Sequence, residues 1–391
     1  MKLTFVHDGP LFFDAEGNYY EFAYHELYER YSFLADDITF LIRTKAVDAL
    51  RHYTKVPNQI KVINVPNFKS PKTFIKNIRK ANDIISNQIK NTDIVVLRTQ
   101  SSIADLALRY VRKYKKPYIV ECVGCSWDTF WNLGFIGKLV APYMFFKQKA
   151  MMKTAPYAYY VTKEFLQSRY PSTGKKISCS NVVLDKHNDE LLTKRIKRID
   201  QLNTKKEIII GTAAAIDTKY KGQEYVIKAL PQLLSKGYKV VYKLAGGLTG
   251  QSENTYLKDL SIKLGVSDKV VFCGSLSSAE MKEYYDSLDL YIQPSKQEGL
   301  PRSVIEAMSR GCPVIGTNLA GIPELIDSKC LFKKANVNDI IHTIEKMMDK
   351  DVLKEQAKAN YMNAQQYERD VLVKKREEFY SDFLKSEFNM I

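Results

Sequence analysis

Glu298 and Glu306 stand eight residues apart in the stretch QEGLPRSVIEAMSRGCPVIGTNLAGIPELI, residues 297–326. Pro301 between them suits the first position of a helix, and Pro323 closes the unit before a second short helical run. This arrangement predicts a turn whose backbone N–H groups point outward at a helix N-terminus, where anions bind. One carboxylate lies in the turn, and the other lies two helical turns on along the same polar edge. A strand over 313–316 and a second glycine-containing turn over 318–321 follow. Carboxylates accept sugar hydroxyls and backbone amides hold phosphate oxygens. Two such loops at the strand ends of an α/β sheet therefore suit a phosphate-plus-sugar ligand. Spacing alone admits another reading: Arg302, Glu306 and Arg310, at i, i+4 and i+8, would make a solvated salt-bridged stripe.

The segment resembles the donor-binding signature of the large retaining, GT-B-fold glycosyltransferase family (glycosyltransferase family 4-like, group 1). That signature is Glu-x7-Glu followed by Gly-Ile-Pro-Glu, here Glu298 to Glu306 and then Gly321-Ile322-Pro323-Glu324. The resemblance implies an α/β chain of two Rossmann-like, doubly wound domains facing across a cleft. It implies a nucleoside-diphosphate sugar as donor and no metal. The acceptor is expected to be a growing, lipid-linked glycan of cell-surface polysaccharide biosynthesis, receiving a hexose or related sugar. Glu306 would accept the ribose hydroxyls, and Glu298 would hold the transferred sugar beside the Gly299 and Leu300 amides. Two alternatives share the fold: a nucleotide-sugar epimerase, and a non-catalytic subunit that supports a partner transferase.

A departing diphosphate must be held and neutralised. The D-x-D pair Asp349-Lys350-Asp351 lies between two expected helices, where a helix N-cap accounts for it. Cationic side chains must then act, and Lys221-Gly222 resembles the family's Lys-Gly at the phosphate site. The arginine usual five residues earlier is replaced by Ile216, so Lys219 is its candidate substitute. The plain alternative is two surface lysines. Gly246, in Ala245-Gly246-Gly247, matches the glycine-rich loop near the nucleotide, although Gly-Gly also marks ordinary turns. Cys273 is expected to meet the base through its main chain. On the acceptor side, Gly17-Asn18 stands where the family carries Gly-Gly. Glu121 or Asp128 would assist there, but Asp128 is equally an ordinary first-turn residue favoured by the helix dipole.

Length and composition bound the rest. A chain of 391 residues exceeds one core, and 45% hydrophobic with 26% charged residues describes a globular protein. The six cysteines show no disulfide framework, and Cys122-Val123-Gly124-Cys125 lacks the second pair that zinc would want. A redox role for that motif stays open. No signal peptide or membrane span is seen, so a cytoplasmic location is expected. The net charge of +15 points to an anionic partner. That partner is nucleic acid, acidic lipid or a phosphorylated substrate; nucleic-acid motifs are missing, and lysines spread beside aromatics favour the inner face of an anionic membrane.

Alternating strands and helices predict two parallel-sheet halves. Strands are expected near 2–6, 38–42, 60–65, 93–97, 118–121 and 157–161, with helices over 19–31, 71–91, 101–115 and 127–153. The first domain spans 1–185, a linker 186–206, and the second domain 207–365. Residues 366–391 form a last helix that in the family crosses back to the first domain. The stretches 71–91 and 134–153 mix lysines with aromatics, as an interfacial amphipathic helix does. A core-facing helix with a cationic back gives the same pattern.

Overall fold

The computed structural model describes residues 1–21, 27–47, 54–202, 207–247 and 255–389. Two compact units form: Met1–Cys179 together with Val373–Ile391, and Ser180–Leu372.

In chain order, the first unit carries β1 (Lys2–Val6), β2 (Leu11–Phe13), β3 (Tyr19–Glu21), α1 (Leu27–Ser32), β4 (Asp37–Ile42), β5 (Thr44–Ala46), β6 (Thr54–Lys55) and β7 (Ile60–Asn64). It continues with α2 (Pro71–Lys90), β8 (Ile94–Arg98), α3 (Ser102–Lys113), β9 (Tyr118–Cys122), α4 (Ser126–Trp131), α5 (Phe135–Lys153), β10 (Tyr157–Tyr160), α6 (Phe165–Arg169) and β11 (Lys175–Ser178). Seven parallel strands form its main sheet in the order β11-β10-β9-β8-β1-β4-β7. Such strands are covered on both faces, which is why Ile94–Arg98 is buried throughout. Ser70 and Thr73 form a capping box that, with Pro71, starts α2.

The second unit carries α7 (Asp189–Asp200), β12 (Ile208–Ala213), α8 (Gln223–Ser235), β13 (Val240–Ala245), α9 (Tyr256–Lys263), β14 (Val270–Gly274), α10 (Ser278–Ser287) and β15 (Leu290–Gln293). Then come α11 (Arg302–Ser309), β16 (Val314–Thr317), β17 (Leu331–Phe332), α12 (Val337–Lys346) and α13 (Lys350–Ala364); α14 (Arg369–Phe388) ends the chain. Its six strands are parallel, in the order β14-β13-β12-β15-β16-β17. In each sheet the winding reverses beside the first strand, between β1 and β8 and between β12 and β15. Ligands of doubly wound sheets bind at the C-terminal ends of the strands at such switch points.

Several expectations are corrected. Residues 19–31 are not one helix: β2 and β3 form an antiparallel hairpin within a small mixed sheet, β5-β2-β3-β6. Part of that expected helix, 22–26, lies outside the described residues. The helix expected over 127–153 is two, α4 and α5, separated at Asn132–Gly134, where Gly134 takes φ +90. The polar 186–206 stretch contains α7, and α7 is fastened within the second unit. The Arg195 guanidinium is buried and donates to the carbonyls of Tyr285 (2.9 Å), Leu288 and Arg310 (3.4 Å). Arg198 pairs with Asp289 at 2.9 Å. Residues 203–206 lie outside the described residues. The first unit ends at Cys179 rather than 185, and the second runs on to Leu372 rather than 365. From Val373 the last helix belongs to the first unit, where Phe379 and Phe383 meet Tyr157 with ring centroids 5.6 and 5.0 Å apart.

Candidate functional site

The switch point of the second unit is built from polar groups at the end of a buried strand. β15 is buried throughout and ends at Gln293, followed by Pro294 and Ser295. The Ala213 amide donates to the Tyr291 hydroxyl (3.3 Å), and that hydroxyl donates to Gln293 Oε1 (2.7 Å). Fixing Oε1 as an acceptor turns the Gln293 amide nitrogen toward Ser295 Oγ (2.8 Å) and Glu298 Oε1 (2.9 Å). Ser295 Oγ donates to the same Glu298 oxygen at 2.7 Å. Lys221 Nζ completes the group, 2.8 Å from Glu298 Oε1. Every hydrogen bond and ion pair recorded for Glu298 thus ends on Oε1. The opposite oxygen takes none of these bonds.

Lys221 is delivered by a tight loop. Gly222 adopts φ +76, and a Cβ there would stand 2.0 Å from the Pro294 carbonyl oxygen. The Lys296 amide donates to the Tyr220 carbonyl at 2.7 Å, which ties this loop to the one after β15. Burial works against the Lys221 ammonium, but the Glu298 carboxylate more than offsets it and raises the pKa. Lys221 is therefore charged at neutral pH and keeps N–H donors beyond the one directed at Glu298. Lys219 goes elsewhere: it is exposed, with its ammonium 5.6 Å from the Tyr256 ring centre.

Glu306 lies on α11 and accepts a hydrogen bond from the Tyr285 hydroxyl at 2.8 Å. Burial and then Glu306 push that phenol well above its usual range, so it stays a donor. The alternative charged stripe does not form, because Arg310 forks onto Asp286 (Nε to Oδ1, 2.8 Å). Pro301 is the N-cap of α11 rather than its first residue. Gly299 and Leu300 are partly exposed in the turn before it, and the Gly321 amide donates to the Gly299 carbonyl at 2.9 Å. The Glu298 turn and the Gly-Ile-Pro-Glu turn are thereby joined. Gly246 follows β13 at φ +143, so close to the next loop that a Cβ would stand 2.1 Å from the Ala214 carbonyl. The β13–β14 ladder passes from Leu244–Phe272 to Ala245–Gly274 and skips Cys273. Its partly exposed thiol is pushed up by burial. Lys221 and Glu298 are in direct contact, Gly299 and Leu300 follow Glu298 in the same turn, and Gln293 and Ser295 are the members missed from sequence. A pair of polar side chains closing an otherwise apolar strand is the signal that could have found them.

The first unit places its residues differently. Glu121 is fully buried, not an open acceptor-side carboxylate. Its Oε1 accepts from the Tyr31 hydroxyl (2.7 Å), and its Oε2 is 2.8–2.9 Å from the Arg98 guanidinium. Burial raises its carboxyl, but Arg98, Arg30 and the Tyr31 hydroxyl together more than offset this, so the pKa is lowered. His7 beside it is pushed down to about 3, chiefly by burial and then by Arg98. Asp128 lies in the first turn of α4 and meets Arg169 at 3.4 Å. Gly17-Asn18 is not the loop after β1 but the β2–β3 hairpin turn. It is closed by Asp14, which takes the Asn18 amide at 2.9 Å and the Tyr20 hydroxyl at 2.9 Å. The loop after β1 instead carries Asp8, missed from sequence. Buried Asp8 accepts from the Ile103 amide (3.0 Å), Ser101 and Ser102, and pairs with Lys69 at 2.6 Å. Cys122 and Cys125 are both buried, and burial pushes both thiols up, Cys122 to about 12. Such thiols make poor nucleophiles or redox groups. Asp349 caps α13, accepting from the Asp351 and Val352 amides.

The family model described as Glycosyl transferases group 1 matches residues 193–367, which include the whole Lys221–Glu298–Glu306 arrangement. Protein CapJ of Staphylococcus aureus is 30% identical over 391 residues, covering 98% of this chain and 96% of that protein. The chain belongs to the group 1 glycosyltransferases, with the GT-B fold. The O-antigen biosynthesis glycosyltransferase WclY of Escherichia coli is 30% identical over 175 residues, 44% of this chain and 46% of that one. Among solved structures, a sucrose-phosphate synthase from Thermosynechococcus elongatus superposes with a TM-score of 0.73. It shares 12% identity and covers 99% of this chain and 100% of its own.

Proposed function

We propose that the protein is a retaining, metal-independent glycosyltransferase that moves a sugar from a nucleoside diphosphate to a growing, lipid-linked cell-surface glycan. The observation that carries this reading is the Glu298–Lys221 pair at the switch point, oriented by Gln293 and Ser295. The name of WclY, an O-antigen biosynthesis glycosyltransferase, supports the surface-glycan setting. Lys221 donates to the diphosphate as the bond between the anomeric carbon and the phosphate oxygen breaks, which favours charge developing there. Glu298 holds the sugar hydroxyls through its open oxygen, and Glu306 holds the ribose diol. The acceptor hydroxyl bonds to the anomeric carbon on the face the diphosphate leaves, and its proton passes to the departing phosphate oxygen.

The test is turnover by the isolated protein. UDP-, GDP- and ADP-sugars are first screened for thermal stabilisation, because a ligand at 100 times its Kd adds about 2.7 kcal/mol. The stabilising donor is then supplied with and without EDTA. Transfer unaffected by EDTA, with the anomeric configuration kept, is the expected result. EDTA inhibition that magnesium reverses would overturn metal independence. Donor binding without turnover would assign the chain to the non-catalytic reading.

A further inference from the structure

We propose that α5 of the first unit is a membrane-docking helix that lies in the surface of an anionic bilayer. Phe135, Ile136, Leu139, Tyr143 and Phe146 are 65–77% exposed. At about 100° per residue they fall within one arc of roughly 100°. The buried residues of the same helix, among them Gly137, Ala141, Gln148 and Met152, occupy the opposite side. The core-facing alternative is therefore already satisfied by a different face. A soluble protein seldom leaves so many large apolar side chains together in water without a partner. Trp131 and Leu133, just before the helix, extend the exposed surface.

Charge selects the partner. Phe135–Lys153 contains four lysines and no acidic residue. Lys138 and Lys149 flank the apolar arc, with ammonium groups 5.5 and 5.8 Å from the ring centres of Trp131 and Phe145. Lys147, on the other flank, is paired with Asp105 at 2.7 Å, so it contributes less. An apolar face edged by lysines and aromatic rings matches the boundary between lipid headgroups and acyl chains. Among the described residues no helix is long and apolar enough to cross a membrane, so the docking is peripheral.

The test uses the full chain with phosphatidylglycerol-rich and with neutral phosphatidylcholine vesicles. Wild-type protein should partition onto the anionic vesicles at least tenfold more strongly at low salt and be released as salt rises. Trp127 and Trp131, the two tryptophans of the chain, sit beside this face. Their emission should shift to shorter wavelength on binding. Leu139→Ser with Phe146→Ser should abolish binding at all salt concentrations. Lys138→Glu with Lys149→Glu should remove only the preference for anionic vesicles. Leu139, Phe146 and Lys138 are exposed and Lys149 is partly so, and an unchanged melting temperature confirms that folding is intact. Failure of the wild type to bind, or equal binding by the Leu139/Phe146 variant, overturns the proposal. A wild-type dimer in sedimentation that this variant converts to monomer also overturns it, because a second copy then covers the face.

Discussion

Each unit places a carboxylate against a cation near the strand ends of its parallel sheet, and the two pairs do opposite things. Glu121 and Arg98 are sealed, and each oxygen of Glu121 is already taken. Lys221 keeps 22% and Glu298 9% of the side chain exposed, and the bonds of Glu298 crowd onto one oxygen. A saturated buried pair has no capacity left for a ligand, so its work is structural. A pair held from one side keeps acceptor and donor capacity in hand. Motif position does not separate the two cases, but hydrogen-bond saturation does.

Breaking the sealed pair should give the largest effect. Glu121→Ala leaves Arg98 buried without its counter-charge and should cost about 3–5 kcal/mol of folding stability. Denaturant unfolding measures this, and a loss under 1 kcal/mol would show that the cluster relaxes. Lys221→Ala should instead lower turnover by about 10²–10³-fold, with a smaller change in unfolding midpoint. Equal damage to stability and turnover would erase the distinction between the two pairs. Glu306→Ala should weaken binding of the free nucleotide by about 1.5–3 kcal/mol, the usual worth of a charged hydrogen bond. Calorimetry that finds unchanged affinity would leave Glu306 as a partner of Tyr285 alone.

Asp8 sharpens the comparison through pH. Burial raises its carboxyl, but Lys69 and then Arg43 more than offset this and hold it at about 2, below the ordinary 3.8. A depressed carboxylate contributes its full stability above the unfolded pKa and loses it as pH falls through the folded one. Stability should therefore drop by about 2 kcal/mol between pH 5 and pH 2 on this account. Asp8→Asn should flatten that part of the profile. An acid-unfolding curve identical in the variant would remove Asp8 from the account.

The second unit was legible because its chemistry is local. Glu298, Gly299 and Leu300 share one turn, and the buried strand before them is a short apolar run between breakers. The first unit resists such reading, since Asp8 gains its meaning from Lys69 and from Ser101 to Ile103, far along the chain. Glu121 looked available because a carboxylate at a strand end is visible in sequence, whereas Tyr31 and Arg98 closing over it are not. The Gly17-Asn18 hairpin was nearer to hand: a Gly-Asn turn between the aromatic-rich stretches Leu11–Phe13 and Tyr19–Glu21 is a hairpin signal. The run of residues on to Tyr31 nevertheless suggested a helix. Residues 134–153 show both regimes, because composition indicated an amphipathic helix but only exposure tells which face is left uncovered.

The path of the chain also orders its folding during synthesis. Ser180–Leu372 is one continuous segment set into a unit made from both ends of the chain. Its entry and exit are fastened together: Leu184 bridges Glu368, the Arg369 amide donates to the Leu184 carbonyl at 3.1 Å, and His187 Nδ1 lies 2.5 Å from Glu368. Once Leu372 has left the ribosome, that segment holds everything its fold needs. The part made first must wait longest, because Phe379 and Phe383 reach Tyr157 only when the last helix emerges. Tyr157 therefore stays without its Phe379 and Phe383 contacts until the whole of the second unit has been made, so the first unit completes its core after the second.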